Sequence, residues 1–275
     1  MGPLRGLGLF SAQRSAVWIE PGAGLQVRRE GRAVGTPLVR ALCTDVSWAG
    51  LPPGVAVRNT TLALGGGVVA ATVEHVLSAL AGLGVWNATV VLEGAEVGIA
   101  DGSARAFVDL LEPALEQVLD VSSPIVLTRR VEVREERTGA TIVGEPSDEA
   151  VYEYELIDAR ADLDQRAAWR VGDHAAYARE IAPARTYSTL ADARAAQGLG
   201  LFQHLTPKDM LVLDERGKPV DNTLRFADEP ARHKLLDLIG DLALLGRPLI
   251  ARVRASRSGH ALTHQFCRAV ADAGG

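Results

Sequence analysis

The chain has 275 residues, 47% of them hydrophobic and 23% charged, enough apolar content for one large or two modest domains. Its net charge of −5, with acidic and basic residues mixed along the chain, leaves no basic stripe for nucleic acid and no acidic recruiting tail. The two cysteines, Cys43 and Cys267, lie far apart without CxxC spacing, which argues against a disulfide scaffold and for a reducing, cytoplasmic compartment.

The opening MGPLRGLGLF lacks the apolar core and cleavage site of a signal peptide, and no run approaches the roughly 18 apolar residues of a membrane-spanning helix. Alternation in SAVWIEP and LQVRREG predicts short strands closed by Gly or Pro. In NTTLALGGGVVAATVEHVLSALAGLG a strand enters a glycine turn at Gly65 to Gly67, and the period then changes. A helix is expected from Thr72 as N-cap, with Val73, Val76, Leu77 and Leu80 as its apolar face and Gly84 as its stop. NATVVLEG reads as the next strand, and ARAFVDLLEPALEQVLD as a helix broken or kinked at Pro113.

VSSP at 121–124 is the expected linker. Beyond it, IVLTRRVEVRE and AVYEYELID read as strands joined through the turn-rich GEPSDE. A mixed segment, 188–220, precedes an amphipathic helix at 225–242, RFADEPARHKLLDLIGDL, and LIARVRAS follows as a strand. SALAGLG (78–84) and GDLALLG (240–246) each end a helix at glycine ahead of a β-prone run. Both helices carry a histidine nearer their N-terminal end, His75 and His233. The echo points to two related α+β units facing each other.

On the 225–242 helix His233 and Asp237 are four apart, so both project from one face, roughly 6 Å apart along the axis. Asp241 extends that row by a further turn. An imidazole and a carboxylate on adjacent turns offer two ligands for zinc, but a solvated helix face would carry the same pair. His75 supplies a third ligand from another element, leaving one position for water whose proton the adjacent Glu74 could take. The competing reading is a first-turn glutamate favoured by the helix dipole beside a satisfied interfacial histidine. His260, in the expected loop SRSGHALTH, is a general acid or simply exposed. Lys234 either meets an anionic substrate group or oxyanion or is solvated. His174, His204 and His264 carry no partner pattern and stay unassigned. The glycine turn lacks a following GK[ST], and no GxSxG is present.

Five stretches, TVEHVLSALAGLGVWNA, EVGIADGSARAFVDLL, IAPARTY, LRFADEPARHKLLDLIGDLALLG and SGHAL, resemble in their order the UDP-3-O-acyl-N-acetylglucosamine deacetylases, zinc amidohydrolases of lipid A synthesis. GLGLFSAQRSAVWIEPGAG resembles their N-terminal motif, so the likeness runs from about residue 5 to residue 270. It implies an α+β fold of two topologically similar sandwich domains, here 1–121 and 122–275, with helices packed between the sheets and the active site at their junction. It also implies an insert at about 188–214 that forms an acyl-chain passage, with Leu190, Leu199, Leu201 and Phe202 as its apolar surface.

Residue by residue, the resemblance implies zinc ligands at His75, His233 and Asp237, with Fe2+ also suited to these nitrogen and oxygen donors in the cell. Glu74 falls on the general base, His260 on the catalytic histidine, and Asp241 on the carboxylate that orients and charges it. Lys234 falls at the substrate, Thr186 near the scissile carbonyl, Arg257 near the substrate diphosphate, and Tyr187 among the substrate-binding positions. The implied reaction removes the 2-acetamido acetyl group of a small glycolipid precursor, UDP-3-O-acyl-N-acetylglucosamine, as acetate. The implied setting is a cytoplasmic monomer without nucleic-acid partner or membrane span, working close to the membrane that receives its product.

Several positions depart from the family pattern: Phe10 for histidine, Trp86 for an acidic residue, Gly98 for proline, Tyr187 for phenylalanine and Thr263 for asparagine. The insert reads GLGLFQHLTPKD without the usual GG. Most lie outside the catalytic set and bear on acyl-chain preference and packing. Two alternatives remain beside the deacetylase reading: a non-catalytic paralogue acting as a binding module, and a deacetylase of a different N-acetylated sugar.

Overall fold

The computed structural model describes residues 2–50, 58–112 and 123–274. The first half lays down β1 (Leu4–Leu7), β2 (Arg14–Pro21), β3 (Gln26–Arg29) and β4 (Arg32–Gly35). A hairpin of β5 (Thr61–Gly65) and β6 (Val68–Ala71) follows, then α1 (Glu74–Gly82), β7 (Ala88–Glu93) and α2 (Arg105–Leu111). The second half begins with β8 (Ile125–Val126), β9 (Val131–Glu135), β10 (Ala140–Glu145), β11 (Val151–Asp158) and β12 (Leu163–Arg170). Next come the single turn α3 (His174–Ala176), β13 (Tyr187–Thr189), α4 (Leu190–Gly198) and β14 (Leu211–Leu213). The last elements are α5 (Glu229–Leu242), β15 (Leu249–Ile250), β16 (Arg252–Ser256) and α6 (His260–Gly274).

Two five-stranded sheets result, ordered β1-β2-β7-β3-β4 and β9-β10-β16-β11-β12. In each, two antiparallel hairpins flank a central strand that comes last in the chain. That central strand runs antiparallel to one neighbour and parallel to the other: β7 to β2 and β3, β16 to β10 and β11. A helix precedes each central strand and another follows it, α1 and α2 in the first half, α5 and α6 in the second. The seven-residue echo in the sequence therefore marks a repeat of sheet topology and helix placement.

The helices lie in the middle of this arrangement. The α5 helix packs on β11 and β12, α6 on β9 and β10, and α2 against β1, while α1 crosses α5. Every residue of α1 is buried, including the polar Glu74, His75 and Ser78, so each of these needs a partner inside the protein. Its mid-helix Ser78 is satisfied by donating to Leu236 O at 2.8 Å and pairing with Tyr177 OH at 2.8 Å. One continuous core runs from Val17 and Val90 through Leu77, Leu80, Leu235 and Ile239 to Ile142 and Val253.

At the α1–α5 crossing stands Gly240, where a Cβ would lie 2.1 Å from the carbonyl oxygen of Glu74. Only glycine lets the first turn of α1 come down onto α5. This contact sets the two halves of the site against each other.

Several sequence expectations are corrected. Thr72 does not cap α1: the N-cap is Val73 with no side-chain cap, and Thr72, at φ 57°, donates its hydroxyl to Glu96 instead. Residues 68–71 form β6, the glycine turn before it having Gly65, Gly66 and Gly67 all at positive φ. GEPSDE does not join IVLTRRVEVRE to AVYEYELID, because β10 intervenes and is itself a central partner of β16. The 225–242 helix begins at Glu229, with Pro230 in its first turn. His260 lies in no loop but opens α6. The Pro113 kink, part of the 121–124 linker and the 121/122 domain division fall outside the described residues, and the division stands as a proposal.

An alanine at Gly240 would meet backbone rather than the yielding end of a side chain. Gly240→Ala is expected to destabilise the protein by roughly 1–3 kcal/mol. Thermal unfolding checks this, and an unchanged midpoint would show that the crossing tolerates wider separation.

Candidate metal and catalytic site

Glu74 and His75 open α1, and His233, Asp237 and Asp241 occupy successive turns of α5. His260 and His264 occupy the first two turns of α6, and Thr60 immediately precedes β5. Packing brings these side chains from three helices and a strand end to one buried locus.

His75 Nε2 lies 3.6 Å from Asp237 Oδ1 and His233 Nε2 lies 3.4 Å from the same oxygen. The two imidazole rings stand edge-on at 5.1 Å. All three side chains are buried. A tetrahedral ion with bonds of about 2.0–2.1 Å places its ligand atoms roughly 3.3–3.4 Å apart, so this donor set has the spacing of a metal's ligand face. His233 Nδ1–H donates to Ala184 O at 3.1 Å, which fixes the tautomer that leaves Nε2 as a free donor atom. Burial pushes the His233 imidazole down to about 3, so it is neutral, as a ligand must be. Burial opposes the Asp237 charge, but His233 and Lys234 outweigh it and hold its carboxyl well below the usual range. Lys234 Nζ donates to Asp237 Oδ2 at 2.5 Å; despite burial this carboxylate keeps the amine protonated.

His260 Nδ1–H donates to Asp241 Oδ2 at 2.8 Å. Its Nε2 faces the metal triad and Glu74, 3.9 Å from both Asp237 Oδ2 and Glu74 Oε1. Burial disfavours its charge, yet Asp241 prevails and raises the imidazole to about 9, so it is protonated at neutral pH. Glu74 responds in the opposite sense: burial pushes its carboxyl up, against the pull of His260 and His75. Glu74 Oε2 accepts from Thr60 N–H at 3.0 Å, whereas Oε1 has no hydrogen bond among the described residues. A basic carboxylate and a charged imidazole thus face one space beside a candidate metal-ligand set, which suits proton transfer in both directions.

The other expected residues stand further out. Thr186 is half-buried; its N–H donates to Gly102 O at 2.7 Å, and its hydroxyl has no partner among the described residues. Tyr187 is pushed up to about 12 by burial, with the charge of Lys234 acting against that rise. Arg257 is exposed at the end of β16, three residues before His260, with its N–H on Glu155 O at 3.1 Å. In the insert, Leu190 and Leu201 are half-buried and Leu199 is 58% exposed. The Phe202 ring meets Phe10 at 5.6 Å, and Phe10 meets Trp48 at 6.5 Å, so two departures from the family pattern touch each other.

Two participants escaped sequence reading. His264 sits one turn beyond His260 and its Nε2 lies 2.9 Å from Thr60 Oγ1. Its i,i+4 spacing is a usable signal only once residues 260–264 are known to be helical. Thr60, 181 positions from its partner Asp241, gave no local signal. Asp241, His260 and His264 also gather like ligands, but their facing atoms are committed to hydrogen bonds with one another and Thr60.

The family model described as LpxC, UDP-3-O-acyl N-acetylglycosamine deacetylase, matches residues 3–272. A relative from Anaeromyxobacter sp. (strain Fw109-5) is 36% identical over 274 residues, spanning 96% of this chain and 84% of its own length. One from Myxococcus xanthus (strain DK1622) is 34% identical, with 97% and 83% covered. One from Chlamydia pneumoniae is 32% identical, with 98% and 93% covered. Each bears the name UDP-3-O-acyl-N-acetylglucosamine deacetylase.

Removing either buried imidazole should empty the ligand set. His75→Ala and His233→Ala are each expected to cut bound metal from about one per chain to a small fraction of that. Metal analysis after desalting checks this, with His174→Ala as a control that should stay loaded.

Proposed function

The chain belongs to the UDP-3-O-acyl-N-acetylglucosamine deacetylase family, and from that premise we propose that it hydrolyses the 2-acetamido group of such a sugar nucleotide and releases acetate. The observation that carries this reading is the convergence of His75, His233 and Asp237 with a free Glu74 oxygen and a charged His260. Held by His75, His233 and Asp237, zinc, or iron(II) with the same donors, supplies a Lewis acid for water and for the amide carbonyl.

The chain's own groups do the proton work. Glu74 Oε1 takes a proton from the attacking water, its basicity raised by burial. His260 Nε2–H gives its proton to the leaving nitrogen as the C–N bond breaks, while Asp241 compensates the charge that imidazole carries beforehand. Lys234, charged and partly accessible, and the free hydroxyl of Thr186 answer the negative charge that grows on the carbonyl oxygen. Arg257 meets the diphosphate, for which an exposed guanidinium is well matched. Tyr187 contributes to the sugar pocket, and Leu190, Leu199 and Leu201 of the insert line the acyl chain's path.

The same reading places the reaction in the cytoplasm and near a membrane surface. Cys43 and Cys267 are both free thiols, in keeping with a reducing compartment, and no described helix is long and apolar enough to cross a membrane. Each half of one chain supplies a share of the site, which supports a monomer as the working unit.

Glu74→Ala should lower the rate of acetate release from UDP-3-O-acyl-N-acetylglucosamine by about 100-fold or more while leaving the metal bound. Release at the parental rate by the variant would remove Glu74 from the reaction. A fully metal-loaded parent that releases no acetate would point to a different N-acetylated sugar.

A further inference from the structure

The structure assigns Thr60 a positioning role: with His264 it locks the Glu74 and Asp241 carboxylates in fixed relation across the seam between the two halves. This rests on the deacetylase reading for the reaction it serves. Thr60 is fully buried, and its three polar groups are all engaged. Its C=O accepts from Val73 N–H at 3.2 Å and its N–H donates to Glu74 Oε2 at 3.0 Å, so the backbone is indexed to the first turn of α1. Its hydroxyl points the other way and donates to Asp241 Oδ1 on α5 at 2.5 Å.

A hydroxyl that donates once has acceptor capacity left. His264 Nε2, at 2.9 Å, is the neighbour that can fill it as an N–H donor. The same nitrogen lies 3.5 Å from Asp241 Oδ1, so the imidazole sits behind the Thr60–Asp241 bond. The chain of bonds then reads His264 Nε2–H to Thr60 Oγ1, Thr60 Oγ1–H to Asp241 Oδ1, and His260 Nδ1–H to Asp241 Oδ2. Each Asp241 oxygen has its own donor, so the carboxylate cannot rotate without breaking one of them. With Asp241 fixed, the His260 ring is fixed, and Nε2 keeps its place opposite Glu74 Oε1.

One residue thereby sets the separation of the proton acceptor and the proton donor. Without the hydroxyl, Glu74 keeps its bond to the backbone N–H, but Asp241 loses its tie to α1 and one oxygen is left short of a donor. Groups that hold catalytic side chains from behind typically change activity 10–100-fold when removed. A buried threonine could also serve packing alone, and valine, of the same shape, separates the two roles.

The test compares Thr60→Val, Thr60→Ser and His264→Ala with the parent in acetate release, with metal content and thermal unfolding measured alongside. The parent's own turnover decides the deacetylase reading independently: no acetate from a metal-loaded parent defeats that reading before any variant is compared. Given parental turnover, kcat should fall about 10–100-fold in Thr60→Val, with KM within about threefold and metal retained. Thr60→Ser, which keeps the donor, should recover most of that loss. His264→Ala, which removes the N–H donor at a less buried position and so is a safeguard should Thr60→Val fail to fold, should lower kcat several-fold at constant KM. Parental kcat in Thr60→Val, or in His264→Ala where Thr60→Val does not fold, would overturn the assignment. So would a serine variant as impaired as the valine.

Discussion

The contact on which the site depends is the crossing of two buried helices at Gly240, where a backbone carbonyl of α1 fills the space a side chain would take. The crossing belongs to the fold's repeat, since α1 and α5 hold the same place ahead of the central strands β7 and β16. Because the halves meet helix to helix, the first turn of α1 faces the C-terminal half of α5, from Asp237 to Gly240. Candidate ligands from both halves then converge without any loop having to reach. A site carried on packed helices keeps its geometry better than one carried on loops.

Charge is the second constraint. Glu74, Asp237 and Asp241 lie in one buried region, and buried carboxylates of one sign repel and must be compensated. Each is treated differently. Asp237 is paired with Lys234 and faces two imidazoles, so it stays ionised. Asp241 is neutralised by His260 and tied by Thr60, so it too stays ionised. Glu74 receives a single backbone N–H, and burial makes it the most basic of the three. Three like side chains thereby differ in charge and partners by their surroundings alone, as the proposed roles of ligand, supporter and base require.

Much of this was legible in the sequence where one element carries the pattern. The row His233, Asp237, Asp241 needs only helical spacing, and the glycine-ended echo revealed the repeat. What escaped depends on contacts between elements. The polar-rich β12 buries only Leu163, Ala167 and Trp169, too sparse an alternation to stand out. Thr72 looked like a cap because threonine usually is one, but Glu96 claims its hydroxyl. His264 was hidden by reading the start of α6 as a loop. Thr60 had no signal, since its hydroxyl reaches Asp241 on the far side of the molecule's seam. The places of Thr186 and Arg257 came from family resemblance, and spacing alone would not have singled them out.

The most direct measurement is X-ray absorption at the metal edge of the purified protein, with His75→Ala and His233→Ala reconstituted at high metal for comparison. A site spanning the two halves predicts a nearest shell of light donors with two imidazole contributions, and the loss of one of them in each variant. A shell unchanged by both substitutions, or one that responds to His264→Ala instead, would place the metal elsewhere and contradict the account.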